Sequence, residues 1–211
     1  MKLTLKLVTI AVVAAFAGAA AAQSGSTSQV TVDKINQSQS GLLNKQEMDI
    51  GNASAGGKSN VNAKNVNQSQ SGLLNKQSME LGNATGKGSE SKVTVSNIRQ
   101  SQSGLLNKQE MKIGNASGGG KSNVNATNIS QSQSGLLNDQ KMGIGNADGK
   151  GSQSKVTAKN ITQSQSGLLN KQDMQIGNAA SGGKSNVTAT NINQSQSGLL
   201  NDQKMNVGNA K

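Results

Sequence analysis

The side chains of this chain that recur at spacings regular enough to do chemistry are carboxamides. The octapeptide Gln-Ser-Gln-Ser-Gly-Leu-Leu-Asn begins at Gln37, Gln68, Gln100, Gln131, Gln163 and Gln194. Two residues past its Asn stands a further Gln: Gln46, Gln77, Gln109, Gln140, Gln172 and Gln203. A carboxamide carries a donor and an acceptor on one planar group, so identical amides placed one above another can satisfy each other while buried. The chemistry expected is mutual hydrogen bonding. Its columns are the six octapeptide starts; Gln39, Gln70, Gln102, Gln133, Gln165 and Gln196; Asn44, Asn75, Asn107, Asn138, Asn170 and Asn201; the six trailing glutamines; and Asn52 with its counterparts.

Catalysis has little to work with. The chain has no His and no Cys, which removes the common nucleophile–base pairs and most transition-metal ligand sets. The carboxylates fall on scattered outward positions without a paired-acid arrangement. Gly-Gly-Lys-Ser occurs at 56–59, 119–122 and 182–185. None has the earlier Gly or the preceding hydrophobic strand of a phosphate-binding loop, so all three are read as turns. No catalytic, cofactor-binding or metal-ligating residue is expected.

Elements that hold amides in columns must repeat with them. The octapeptides are 31, 32, 31, 32 and 31 residues apart. Odd copies open like Ser91-Lys92-Val93-Thr94 and even copies like Lys121-Ser122-Asn123-Val124, so the duplicated unit is a pair of 63 residues. Each copy carries three clusters spaced by two: Val30 and Val32; Ile35, Gln37 and Gln39; Leu42, Asn44, Gln46, Met48 and Ile50. A period of two is that of a strand with one face inward. The parity changes between Val32 and Ile35 and again around Gly41-Leu42-Leu43, where a bulge or corner would keep the same face pointing in. Gly56 and Gly57, with Ser54 and Lys58, are expected to form the loop to the next copy. A helix over Leu42–Ile50 is the competitor, but it would move Met48 away from the other apolar residues, whereas a strand aligns Leu42, Met48 and Ile50.

The expectation is therefore an all-β chain: a β-solenoid of six repeats of 31 or 32 residues, stacked as strand-turn-strand or three-sided coils. Its core would be Ile35, Leu42 and Ile50 with Met48, Met79, Met111, Met142, Met174 and Met205. Its turns would use Gly41, Gly72, Gly104, Gly135, Gly167 and Gly198, with Gly51 as a further turn. The array would run over 28–211, with copies starting near 28, 59, 91, 122, 154 and 185, after a short segment 23–27. Residues flanking the trailing Gln invert their charge from the third copy onward (Lys108/Glu110, Asp139/Lys141, Lys171/Asp173, Asp202/Lys204), as in-register stacking about 4.8 Å apart needs. Lys45 over Lys76 over Lys108 is the exception.

Lys2 and Lys6, an apolar run from Leu7 to Ala22 and the small residues Ala20-Ala21-Ala22 are read as a secretory signal peptide over 1–22. The run is too short and Ala-rich for a transmembrane anchor. The one Phe of the chain, Phe16, would leave with it. Missing aromatics ordinarily argue for disorder, but disorder does not require aliphatics at fixed intervals. One copy cannot offset the entropy of ordering itself, so copies must share burial with neighbours. With strand starting near Ser28 and the last copy ending at Lys211, neither end shows a polar cap. The expected partner is a second molecule of the same chain, added head to tail into a filament.

Gln39-Ser40-Gly41-Leu42-Leu43-Asn44 resembles the Gln-x-Gly-x-x-Asn core of the curlin repeat of curli, the bacterial biofilm amyloid. All six copies carry it. The resemblance implies that Gln39, Asn44 and their equivalents are inward ladder residues flanking a β-arch. It also implies export through the periplasm of a Gram-negative bacterium and a dedicated outer-membrane pore, with nucleated assembly at the cell surface. Asp33 stands where the curlin pattern has Ser, which only Ser96 supplies among the copies. Gln46 replaces its Ala and Ile50 its closing Gln.

Two other functions follow from other residues. The formal charge is +11, and Lys58, Lys87, Lys121, Lys150 and Lys184 recur in the expected loops. A stripe of them would bind acidic polymers such as extracellular DNA or polysaccharide, without sequence preference because no aromatic is present to stack bases. An ice-binding solenoid would need an unbroken Thr array, but Asn62 and Asn125 interrupt the series of Thr31 and Thr94.

Overall fold

A computed structural model describes residues 27–54, 58–86, 88–118, 121–149, 151–180 and 184–210. The expected signal peptide over 1–22 and the expected loop glycines Gly56 and Gly57 lie outside these. Every element is a strand: β1 Thr27–Gln39, β2 Gln46–Ser54, β3 Lys58–Gln70, β4 Gln77–Thr85, β5 Glu90–Gln102, β6 Gln109–Ser117, β7 Lys121–Ser132, β8 Gln140–Gly143, β9 Asn146–Asp148, β10 Gln153–Gln165, β11 Lys171–Gln175, β12 Asn178–Ala179, β13 Lys184–Gln196, β14 Asp202–Asn206 and β15 Asn209–Ala210. The chain is a β-solenoid with two strand positions per coil. The first sheet runs β1-β3-β5-β7-β10-β13, and the rest form the second, beginning with β2-β4-β6.

Pairing is parallel and in register. Val30 lies beside Val61, and Gln37 beside Gln68; Met48 lies beside Met79 and Ile50 beside Leu81. The core is a set of columns in which Val61, Val66, Met79, Leu81, Ile98, Met111, Ile113 and their equivalents are buried between the sheets. Each strand owes its face to the alternation of Val, Ile and Met with polar residues.

The first parity change is made by one left-handed residue per copy: Lys34, Asn65, Asn97, Asn128, Asn160 and Asn191, at φ 53–65°. Register skips it, pairing Asp33 with Lys64 and then Ile35 with Val66. Asn enters this region more readily than other non-glycine residues. The second change is an arch. Gly41 and its five equivalents all have positive φ, and the arches hydrogen-bond in register, Gly41 N–H to Ser71 O at 3.1 Å and Gly167 N–H to Ser197 O at 3.1 Å.

Three expectations need correcting here. Leu42 is not core: it is 68% exposed on the arch, because the inward strand starts at Gln46 and not at Leu42. Asn52 faces outward, because Gly51 (φ 77°) is a bulge that shifts parity and sends Ala53 inward instead. Ser54 and Lys58 end and begin strands, so the loop is shorter than expected.

The 31/32 alternation resides in these loops. Even copies end in a four-residue connection whose last residue, Ser89 or Ser152, is buried. Its hydroxyl donates to Thr85 O or Asp148 O at 3.1 Å. Its carbonyl accepts from Lys121 N or Lys184 N in the copy above, at 3.0 and 3.2 Å. The extra residue is absorbed without disturbing the ladders.

Gly114 in β6 combines φ 74° with a close approach of the two sheets, as do its equivalents Gly51 and Gly82: a Cβ at Gly114 would collide with the Val124 Cγ2 methyl. Gly114→Ala should destabilise the chain by about 2–4 kcal/mol, from overpacking and left-handed strain together. Val124→Ala should restore part of this in the double variant, as a double-mutant cycle of denaturant melts would measure; independent effects would refute the contact.

Candidate assembly interface

The amide columns differ in what they accomplish. The Gln37 column forms a continuous ladder through the core from Gln68 to Gln194. Gln100 Nε2 donates to Gln68 Oε1 at 3.3 Å, Gln131 to Gln100 at 3.2 Å, Gln163 to Gln131 at 3.2 Å and Gln194 to Gln163 at 3.3 Å. The same Nε2 atoms reach across the coil to backbone oxygens of the second sheet, Ser78 O at 3.4 Å from Gln68 and Asp173 O at 3.3 Å from Gln163. This column stitches copy to copy and sheet to sheet.

The other columns line the inside of the arch. Gln70, Gln102, Gln133 and Gln165 end the first-sheet side; Asn44, Asn75, Asn107, Asn138 and Asn170 follow the turn; Gln46, Gln77, Gln109, Gln140 and Gln172 start the second. All are buried. Asn44 Nδ2 donates to Ser71 O at 2.7 Å. From Gln70 to Gln172, the side-chain amides of these columns have no hydrogen-bond partner among the described residues. An unpaired buried amide costs about 1–3 kcal/mol, so by direct contacts these columns contribute less than the ladder from Gln68 to Gln194. In the end copies the amides open to solvent: Gln37, Gln39 and Gln196 are half-buried, and Asn201 and Gln203 are exposed.

One outward ladder is not among the expectations from sequence, and the expected Asn52 column forms its ladder on the outward face. The left-handed asparagines link Asn65 to Asp33 at 2.9 Å, Asn97 to Asn65 at 3.0 Å, and so on up to Asn191 to Asn160 at 3.0 Å. Asn115 donates to Asn83 at 3.1 Å and Asn83 to Asn52 at 3.3 Å. The signal for the first was present: a slip in the apolar period calls for a left-handed residue, and Asn stands there in five copies.

Charges are less evenly arranged. Glu110, Lys141, Asp173 and Lys204 do lie in one column. Asp49 lies beside Glu80, and its carboxyl pKa is raised above the ordinary 3.8 by burial, then by Glu80 and Glu47, against relief from Lys112. Burial opposes the charge of Lys112, but its bonds to Glu110 and Glu80, both 3.1 Å, raise its pKa. The expected lysine stripe is interrupted: Lys58 lies 3.6 Å from Glu90, and Glu90 and Gln153 alternate with Lys58, Lys121 and Lys184. Lys87 and Lys150 lie outside the described residues.

The two ends of the stack are complementary. Strand β2 packs against both β1 and β3, so the second sheet is staggered toward the later copies. At the first copy the second-sheet residues Met48 and Ile50 are therefore buried, while Val30, Val32 and Ile35 of β1 are only partly covered. At the last copy the second-sheet residues are the barest: Met205 and Val207 are 39% and 38% exposed, although Met174 and Ile176 below them are at 0%, while Val187, Ala189 and Ile192 of β13 are partly covered as in β1. Met205, an expected core residue, is thus core only where another copy follows. Among the described residues nothing pairs with the outer edges of β1 or β14.

Two measurements test the columns and charges. Gln100→Met breaks a working ladder and should destabilise by about 1–3 kcal/mol, whereas Gln102→Met removes an unpartnered amide of similar shape and should be neutral or stabilising; equal losses in melting would refute the distinction. Because the folded chain holds a proton on Asp49 more tightly than the unfolded one, stability falls as pH rises from 3.8 through the raised value. Asp49→Asn should therefore melt higher than the parent chain at neutral pH, and the difference should close below 3.8.

Comparison with descriptions of protein families, with curated proteins and with solved structures finds no match, so this interface is read from its own geometry.

Proposed function

We propose that the chain is a secreted, non-enzymatic structural subunit that polymerises head to tail into an amyloid-like extracellular fibre of the cell surface or biofilm matrix. The observation that carries the reading is the mismatch between columns and ends. Positions buried completely in the interior copies stand open at Met205 and Val207, and the partly covered face of β1 presents what they lack. A second molecule placed above the last copy continues the backbone ladders and sets its Gln37 over Gln194 of the amide ladder in one step, whereas its Lys34 would stand over Asn191 and end the left-handed Asn ladder there. Such a contact is heterologous, and if it does not close it extends without limit. The curlin-like motif supports the same reading and adds a secretion pore and a nucleator as partners. Charge supports the polymer-binding alternative less, given the interrupted lysines.

The test uses residues that are exposed in one molecule and covered only at the junction. Met205→Glu with Val207→Glu should leave the circular-dichroism spectrum of the freshly dissolved chain unchanged. It should slow seeded filament growth at least tenfold, because each added molecule would bury two unpaired carboxylates. Asn193→Glu with Ser195→Glu, on outward positions of the same copy that stack on the uncharged Thr162 and Ser164, should change growth much less. A parent chain that remains monomeric at high concentration would sink the reading.

A further inference from the structure

The arches carry an apolar stripe for which the fold has no use. Each copy places two adjacent leucines there, from Leu42-Leu43 to Leu199-Leu200. They are 60–71% exposed in the end copies, and those that remain exposed between are 36–39% exposed. The arches are hydrogen-bonded in register and stack glycine on glycine, so the leucines form a continuous line parallel to the solenoid axis. Several also hold the backbone where leucine is disfavoured: Leu43, Leu137, Leu169 and Leu200 have φ of 86°, 36°, 42° and 65°. Gly or Asn would occupy such a position with less strain. Strained, exposed and apolar together point to an interaction surface.

We infer that this leucine stripe is the lateral contact by which two filaments of this chain pair, arch to arch and running antiparallel. The inference rests on the fibre reading above. Size is the first argument. A leucine left about two-fifths exposed presents on the order of 50 Å². One chain therefore offers on the order of 500 Å², and two facing stripes about 1,000 Å², the lower edge of a specific interface. Single molecules pair poorly, whereas every molecule added to a filament lengthens the contact. Charge is the second argument. One flank of the stripe is uncharged (Ser40, Ser71 and their equivalents); the other carries Lys45, Lys76, Lys108, Asp139, Lys171 and Asp202. Antiparallel facing sets this flank against itself in reverse order, so Lys45 meets Asp202 and Lys108 meets Asp139, with Lys76 against Lys171 the one mismatch. Parallel facing sets charges against serines. Such pairs choose orientation more than they add affinity.

The test replaces the second leucine of every pair by the residue best suited to a left-handed backbone: Leu43→Asn, Leu74→Asn, Leu106→Asn, Leu137→Asn, Leu169→Asn and Leu200→Asn together. Parent filaments should show twice the mass per length of one solenoid in dark-field electron microscopy. Variant filaments should show the single value, with seeded growth within about twofold of the parent. Parent filaments that are single, or variant filaments that stay double, would overturn the pairing. Co-flotation of single parent filaments with phosphatidylcholine vesicles, lost in the variant, would assign the stripe to a lipid surface and overturn it likewise. Absence of filaments from both chains would overturn the fibre reading itself, and the pairing with it.

Discussion

In-register parallel stacking is the constraint on which everything else depends. It places each residue beside its own counterpart, Val on Val, Gln on Gln and Gly on Gly, at the spacing of one strand. Whatever a residue does to itself, favourable or not, is then repeated along the stack. The amides from Gln68 to Gln194 benefit, since those between accept from the copy above and donate to the copy below. Carboxylates suffer, as Asp49 beside Glu80 shows, unless a lysine such as Lys112 intervenes. Aliphatics of different size can share a column: Val32, Ala63, Val95 and Ala126 alternate, and Ala158 and Ala189 then continue it as Ala on Ala.

The same constraint explains why the described residues pack without aromatics. Core volume is built from Met, Ile, Leu and Val contributed once per coil, each sealed by the coils on either side. Sealing is a property of the interior alone. The identical Met is at 0% exposure in β11 and 39% in β14, and no change of residue accompanies the difference. Among the described residues the two ends of the stack are therefore less covered than its middle, the second sheet most of all in the last copy.

The sequence made the strand period, the repeat boundaries and the ladder residue types readable, because a period of two and a step of 31 or 32 leave little freedom in a stacked chain. The octapeptide's first Gln, the arch glycine and the slip after Val32 are direct consequences. Leu42 was misplaced because it shares parity with Met48 and Ile50; the arch breaks that parity, and only the positions of Gly41 and Leu43 in left-handed backbone reveal it. The inward placing of Asn52 fails for the same reason, one bulge later, although its column forms a ladder on the outward face. Both errors come from extending a period across a residue with positive φ.

By itself the sequence determined a solenoid of six coils and the identity of what stacks on what, since repetition dictates self-pairing whatever the local geometry. Tertiary structure decided which columns close their hydrogen bonds, which way each face points past a bulge, and that the sheets are offset by part of a coil. Those depend on the distance and angle between two sheets, set by contacts such as that of Gly114 with Val124, and no pattern along one strand encodes the position of the strand across from it.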